Sequence, residues 1–438
     1  MVVQTFLVFF VHPIFWVVML IVFSQYYRIA QMEERLFGYT INNMWEQGLK
    51  SLLLGIMGGF IASSIFVVMG LSLDQIGVYF ILPVAILLLL FNPRFLCFAY
   101  AGGIVAAGVF ASRFLLEVFP QLQDSQFFSS LADIYLPGML VLIAVLHLIE
   151  SLMIFIGGHW GHSPVYIKKE TGQVVGGYSL QRFWPVPLVG IIAIMEHEAE
   201  QMVNGAVAMP EWWPILQSGI DPQAAGFLLL PVMAGLGYGD LALSSTPREK
   251  SLASARFLSV YSVVLLLLAV ASEFYPVFIV PACIFAPLGH EVVVQLGNQL
   301  EVDKGPRYIP PDKGVMILKV YPGSPAEKAG LQEEDIILRV NGLLVESTSH
   351  FWQVINESYF LVHLNVLRGN EVVSLILKKE QEVKSQHIFE EERKPTRKST
   401  RNQHPPLGII LVPDTQTSVY VEMKKPTSKI LNYFRRPK

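Results

Sequence analysis

Long apolar runs with few charged residues fill the first two thirds of the chain. A helix needs about 20 mostly apolar residues to cross a bilayer, because its backbone polar groups must be satisfied within the segment. Five runs meet this condition: Thr5–Phe23, Ser51–Leu73, Ile76–Phe91, Phe95–Leu116 and Tyr135–Gly158. Weaker candidates follow at Pro185–Met195, Ala224–Leu243, Phe257–Ala271 and Pro276–Leu288. The pattern predicts an α-helical polytopic membrane bundle over residues 1–296, with about seven to nine spans.

The pattern changes to short alternating strands after a linker predicted over residues 297–312. Gly314–Val320 is rich in β-formers, Pro325 opens a short helix that Gly330 ends, and Asn341-Gly342 is typical of a hairpin turn. A later segment, with apolar residues at Phe351 and Val354, has the spacing of an amphipathic helix. These elements predict a small mixed α/β domain over residues 313–380.

Composition agrees with a membrane protein that carries a soluble domain. Of the 438 residues, 53% are hydrophobic and only 15% are charged, and the charge is concentrated beyond Glu301. Lysine and arginine collect in alternate loops, and the positive-inside rule places those loops and the C-terminus in the cytoplasm. The residues concerned are Arg28, Arg35, Lys50, Arg94, Lys168, Lys169, Arg182, Arg248, Lys250 and Arg256.

Histidines and acidic residues inside the apolar runs are candidate metal ligands. His147 and Glu150 share one helix face, but no second ligand pair stands at helical spacing, so a helix-to-helix hydrogen bond is the favoured interpretation. His290 begins "HEVVVQ", where Val294 replaces the second histidine of a zinc helix, and "MEHEAEQ" fails in the same way. Both cysteines, Cys97 and Cys283, are interpreted as small buried hydrophobes. We therefore expect no metal, no cofactor and no catalytic set.

The stretch "GVMILKVYPGSPAEKAGLQEEDIILRVNG" resembles the signature of bacterial PDZ domains. The residues that carry the resemblance are Gly314, Gly323, Ser324, Pro325, Ala326, Gly330, Asp335, Asn341 and Gly342. It implies a circularly permuted PDZ fold that binds an extended peptide as an added strand beside a helix.

Such a groove needs a loop that holds the peptide carboxylate. Two stretches could supply it, Gln295–Val302 ahead of the domain and Pro405–Asp414 after it. Our hypothesis assigns it to Leu407, Gly408, Ile409 and Ile410, within a segment 405–423 that returns to complete the PDZ sheet; Phe351 and Val354 would contribute from the helix. The alternative is an unrelated strand that packs elsewhere.

Two charged segments flank this returning stretch. Residues 381–404 have the composition of a flexible charged linker, and residues 424–438 form a basic tail with interleaved apolar residues. The tail is suited to lie on anionic lipid, and ordinary solubilising charge is the alternative.

The order of "FFVHPIFW", several spans, "GYGDLALSSTP" and then "PPDKGVMILKVYPGSPA" resembles the MinJ-like division-site topological determinants of Gram-positive rods. The resemblance implies a non-catalytic membrane scaffold that recruits Min-system proteins to poles and septum. It also implies two protein partners, a DivIVA-like coiled coil and a MinD-like ATPase, and no nucleic acid. The alternative is a site-2-type intramembrane zinc protease, or an inactive relative of one, with a regulatory PDZ domain.

Overall fold

The computed structural model describes residues 5, 8–169, 171–195, 210–216, 225–379, 407–414, 417 and 420–422. The predicted charged linker 381–404 and basic tail 424–438 lie outside these residues, as does most of "MEHEAEQ". Within them, a helical membrane part comes first, and a small strand-rich domain follows. This order is the one that the sequence predicts.

Eight helices form the described membrane part. They are α1 Pro13–Phe37, α2 Met44–Met69, α3 Val78–Phe91, α4 Phe98–Val118, α5 Gln126–Ala132, α6 Leu136–Gly157, α7 Pro247–Phe274 and α8 Ile279–Asp303. Six are long and apolar enough to cross a membrane, and α3 is apolar but shorter, at 14 residues. Helix α6 is the central one, because 72% of its most apolar window is buried, against 39% or less in the other long helices.

Local capping decides where the helices begin and end, and several extend beyond their apolar runs. Helix α1 continues to Gly38, which takes a left-handed conformation, and so includes the basic residue Arg35. Helix α7 begins with a capping box, in which Thr246 and Glu249 each bind the other's backbone N–H group. The hydrophobic pattern therefore located these helices but not their ends.

The predicted spans at Pro185–Met195 and Ala224–Leu243 are wrong as helices. They belong to a long antiparallel hairpin of β2 (Val174–Met195) and β3 (Ala225–Ala242). Strand β2 lies against α2: a Cβ atom added at Gly55 would come within 2.0 Å of a β2 carbonyl oxygen, and one at Gly59 within 1.9 Å. The small-residue pair on α2 therefore admits a strand and not a second helix.

Two features account for the backbone N–H positions along the edge of β2 that faces the helices: hydrogen bonds to hydroxyl groups, and prolines. The N–H of Phe183 donates to the Tyr26 hydroxyl at 3.3 Å, and the N–H of Val189 donates to Ser63 Oγ at 2.8 Å. Pro185 and Pro187, the two alternate residues between them, have no N–H to satisfy. The prolines that weaken a helical interpretation are thus the residues that suit an unpaired strand edge.

The described strands form two sheets, one beside the membrane part and one within the soluble domain. The first, here named the stem sheet, has the order β10-β1-β2-β3, with β1 at Ser163–Lys168 and β10 at Val421–Glu422. The second consists of β4 Val315–Val320, β5 Ile336–Val340, β6 Leu343–Leu344, β7 Leu361–Arg368, β8 Glu371–Lys378 and β9 Ile409–Leu411, and the helices of the same domain are α9 Pro325–Lys328 and α10 Thr348–Glu357. Its strand order is β8-β7-β5-β4-β9, with the short β6 paired to β5.

Candidate peptide-binding site

The late segment that the sequence hypothesis singled out lies at the edge of the soluble domain's sheet. Strand β9 pairs antiparallel with β4, with Ile410 opposite Lys319 and Ile409 opposite Val320. The carbonyl of Gly408 accepts from the N–H of Tyr321 at 2.8 Å. The segment is therefore an edge strand of this domain, and its role in peptide binding stays a prediction.

Gly408 permits this close approach. Its φ is +76°, and a Cβ atom added there would lie 2.0 Å from the Cβ of Ser324. The neighbouring carbonyl of Leu407 accepts from the N–H of Ala326 at 3.0 Å. Any residue with a side chain would be strained by its φ and would also push the loop away from the start of α9.

Alternate backbone groups of β9 point away from its partner strand β4. Backbone groups of an antiparallel strand alternate between its two sides. The N–H of Val412 donates to Met316 of β4 at 2.8 Å, so the polar groups of Ile409 and Leu411 point to the other side. One of them is already engaged, because the carbonyl of Leu411 accepts from the Tyr166 hydroxyl of the stem sheet at 2.7 Å.

Helix α10 supports the edge strand from within the domain. Phe351 is fully buried and Val354 is 7% exposed, and both belong to the same buried cluster as Leu407 and Ile409. The N–H of Thr348, at the start of α10, donates at 3.2 Å to Asp414, beyond the end of β9. Phe351 and Val354 thus form part of the domain's core, and direct peptide contact by their side chains stays a prediction.

The residues of the predicted signature occupy turns, a helix start and one buried ionic position. Positive φ angles occur at Gly314, Gly323, Gly330, Asn341 and Gly342. Ser324 caps α9 by accepting from the N–H of Glu327 at 3.2 Å, Pro325 takes the first helical position, and Ala326 is fully buried. These roles are structural, and they position the loop that contacts Gly408.

Asp335 is buried beside an arginine that the sequence argument did not single out. Its carboxylate accepts two hydrogen bonds of 2.8 Å from Arg368 and one of 2.8 Å from the N–H of Gln332. The hydrogen bonds that Arg368 donates to the Asp335 carboxylate raise the pKa of Arg368. Only the pairing of β5 with β7 brings the two residues together, so their separation in sequence gave no signal.

The other face of β9 packs on the stem sheet. Ile410 and Val412 lie in the same buried cluster as Tyr178 of β2, whereas the neighbouring Leu411 lies in the core of the soluble domain. The Tyr178 hydroxyl donates to the carbonyl of Leu318, and its ring contacts Tyr308 edge-on at 5.2 Å. Strand β9, the predicted receiving strand, therefore packs against the core of the soluble domain on one face and against the stem sheet on the other.

A charged group at this contact approaches a partly buried histidine. Lys319 Nζ lies 2.7 Å from a carboxylate oxygen of Glu333 and 3.0 Å from Nε2 of His162. Burial, and next the charge of Lys319, lower the pKa of His162 to about 4. His162 is thus neutral at physiological pH and accepts a hydrogen bond from the lysine.

The His-Glu pair of the sequence analysis lies in a polar cluster inside the helical part. The carboxylate of Glu291 accepts a hydrogen bond from the Tyr100 hydroxyl at 2.6 Å, and it also binds Arg94 and Gln295. A metalloprotease glutamate must be free to take a proton from water. Glu291 is instead committed to hydrogen bonds and an ion pair.

Comparison with known proteins supplies two kinds of similarity. The PDZ domain family matches residues 316–368. The cell division topological determinant MinJ of Bacillus subtilis (strain 168) is 23% identical over 414 residues, which cover 93% of this chain and 94% of that protein. This similarity confirms the predicted resemblance to MinJ-like proteins, and the PDZ match confirms the predicted fold class.

Serine proteases share only a short stretch. The periplasmic endoprotease DegQ of Escherichia coli (strain K12) is 38% identical over 66 residues, and HTRA1 of Xenopus tropicalis is 40% identical over 62. Each match covers 14% of the protease concerned. Similarity of this extent carries no catalytic activity over to this chain.

Proposed function

We propose that this chain is a non-catalytic membrane adaptor of the division site, and that its PDZ domain binds peptide segments of cytoplasmic division proteins. The observation that carries the proposal is similarity to MinJ over nearly the full length of both proteins. The PDZ match supplies the binding module. Two observations weigh against the intramembrane protease alternative: Glu291 is held by Tyr100 and Arg94, and the protease matches are short.

The proposed partners are a DivIVA-like coiled-coil protein and a MinD-like ATPase. They come from the family resemblance. The position of β9 at the end of its sheet supports the proposed mode of binding, in which a C-terminal peptide adds to β9 with its carboxylate at Leu407–Gly408. Anionic lipid is a further proposed contact of the basic tail.

The PDZ domain is proposed to face the cytoplasm. The ring of Tyr39, just after the basic end of α1, lies 5.5 Å from that of Tyr321 in the PDZ domain. The domain therefore shares a side of the membrane with Arg35, and positive-inside reasoning assigns that side to the cytoplasm.

Cysteine labelling tests the orientation. Tyr359 is 91% exposed on the PDZ domain, and Asp124 is exposed in the loop between α4 and α5. An impermeant maleimide applied to intact cells is expected to label Asp124→Cys and to spare Tyr359→Cys, which reacts only after the cells are opened. Labelling of Tyr359→Cys in intact cells would rule out cytoplasmic partners.

Recruitment is tested with the full-length protein in cells. A fluorescent fusion is expected at division sites, and both partners are expected to co-purify with it. Gly408→Ala should reduce co-purification of the peptide-bound partner, whereas Gly369→Ala, in the distant β7–β8 turn, should not. Glu291→Gln should leave both localisation and co-purification intact, and a loss of both in this variant would instead favour the protease alternative.

A further inference from the structure

Three potential metal ligands from three separate helices meet inside the membrane part. Cys97 is the N-cap residue of α4, His147 lies in the middle of α6, and His290 lies in α8. Among the described residues this trio forms a cluster whose ligand atoms all lie within 4.8 Å of one another. We propose that Cys97, His147 and His290 bind a Zn²⁺ ion that ties these helices together.

The two sulfur–nitrogen distances are close to those of one tetrahedral ion. With Zn–S of about 2.3 Å and Zn–N of about 2.0–2.1 Å, a tetrahedral angle places sulfur and nitrogen about 3.6 Å apart. The Sγ of Cys97 lies 3.1 Å from Nε2 of His147 and 3.7 Å from Nε2 of His290. The two observed separations lie on either side of the ideal one, so small side-chain shifts would complete the geometry.

The surroundings orient two of the ligands for a cation. The Nδ1 atom of His147 lies 2.7 Å from the carbonyl oxygen of Ile143, which can only accept, so Nδ1 carries the proton and Nε2 presents its lone pair. A metal-bound histidine usually donates its other ring N–H to an oxygen acceptor in this way. The sulfur of Cys97 accepts from the N–H of Ala99 at 3.4 Å, at a helix N-terminus that stabilises the charge of a bound thiolate.

The ligand chemistry selects the ion. One thiolate with two imidazoles suits Zn²⁺ among the divalent cations, whereas Mg²⁺ and Ca²⁺ prefer oxygen. Three protein ligands leave the fourth tetrahedral position to water. Because Glu291 is held by Arg94 and Tyr100, the residue after His290 does not supply a free base to that water. The site is therefore assigned a structural role.

Metal analysis of the full-length chain in detergent tests the proposal. After incubation with Zn²⁺ under reducing conditions and removal of excess metal, the protein is expected to retain one equivalent. Cys97→Ser and His290→Gln should lose it, and Cys283→Ser, which alters the second cysteine of the chain, should keep it. A wild-type protein without zinc, or a Cys97→Ser variant that retains it, would overturn the assignment.

Cobalt provides a readout that does not depend on the folding of Cys97→Ser. Thiolate ligation gives Co²⁺ an intense near-ultraviolet charge-transfer band, which we expect in the wild type and in Cys283→Ser. Because the chain has two cysteines, a band that survives Cys283→Ser identifies Cys97 as the sulfur ligand. Absence of the band from the cobalt-treated wild type would refute thiolate ligation, as would its loss in a folded Cys283→Ser variant.

Discussion

Replacement of Gly408 by alanine tests whether the returning strand depends on one close backbone approach. The added Cβ would lie 2.0 Å from the Cβ of Ser324. Neither atom can move by side-chain rotation, so the loop must retreat to a carbon–carbon separation of about 3.5–4 Å. A shift of this size breaks the hydrogen bonds to the carbonyls of Leu407 and Gly408.

The expected loss is about 3 kcal/mol. The two backbone hydrogen bonds together contribute about 2 kcal/mol, and the left-handed φ costs alanine about 1 kcal/mol more. Gly369→Ala is the matched control, because Gly369 has a φ of +59° and no atom within 4 Å of its added Cβ. That variant should lose only about 1 kcal/mol.

Hydrogen exchange of the full-length protein measures the difference. Gly408→Ala should raise exchange across residues 407–412 by roughly two orders of magnitude, following about 3 kcal/mol of local destabilisation, while Gly369→Ala leaves that segment protected. Adding Ser324→Gly removes the clashing atoms at the cost of a few tenths of a kcal/mol in capping, so the double variant should recover most of the protection. Equal exchange in the Gly408 and Gly369 variants would refute the reasoning.

A glycine substitution tests the packing of the β2–β3 hairpin, and a change of pH tests the contact between the soluble domain and the stem sheet. Gly59→Ala should lower the melting temperature of the detergent-solubilised chain, because its Cβ would meet the Pro187 carbonyl oxygen at 1.9 Å, whereas Gly235→Ala, in open space on β3, should not; equal melting temperatures would contradict the packing of β2 on α2. Because the pKa of His162 falls from 6.5 to about 4, the unfolded state binds more protons below pH 6.5, and stability falls as the pH drops from there towards 4. The loss between about pH 7.5 and about pH 5 is expected to be about 2 kcal/mol, and His162→Gln should flatten it in thermal melts at the two pH values; an unchanged slope in this variant would exclude His162 as the source.

The PDZ domain was predictable from sequence because its determinants are local. Turn glycines, the cap at Ser324 and strand alternation act over a few residues, and the family match at 316–368 includes most of them. The edge position of β9 was open to hypothesis only, since 88 residues lie between the end of β4 at Val320 and the start of β9 at Ile409, and no local signal fixes such pairing.

The hairpin of β2 and β3, in contrast, was not predictable from its sequence. Proline and short length marked Pro185–Met195 and Ala224–Leu243 as unusual spans, but period and composition do not distinguish a buried strand from a short helix. The choice was made by the neighbours: Gly55 and Gly59 admit a strand backbone, and Tyr26 and Ser63 satisfy its free N–H groups.

Sequence alone determined that most of this chain is embedded in lipid and that a PDZ domain follows, because apolar length and turn chemistry are properties of contiguous residues. It predicted no metal site, because spacing along one helix reveals only ligand pairs one turn apart. Only the tertiary structure brought Cys97, His147 and His290 together, although His147 is 50 residues and His290 is 193 residues from Cys97 along the chain. Packing of helices in three dimensions, and not spacing along one of them, creates such a site.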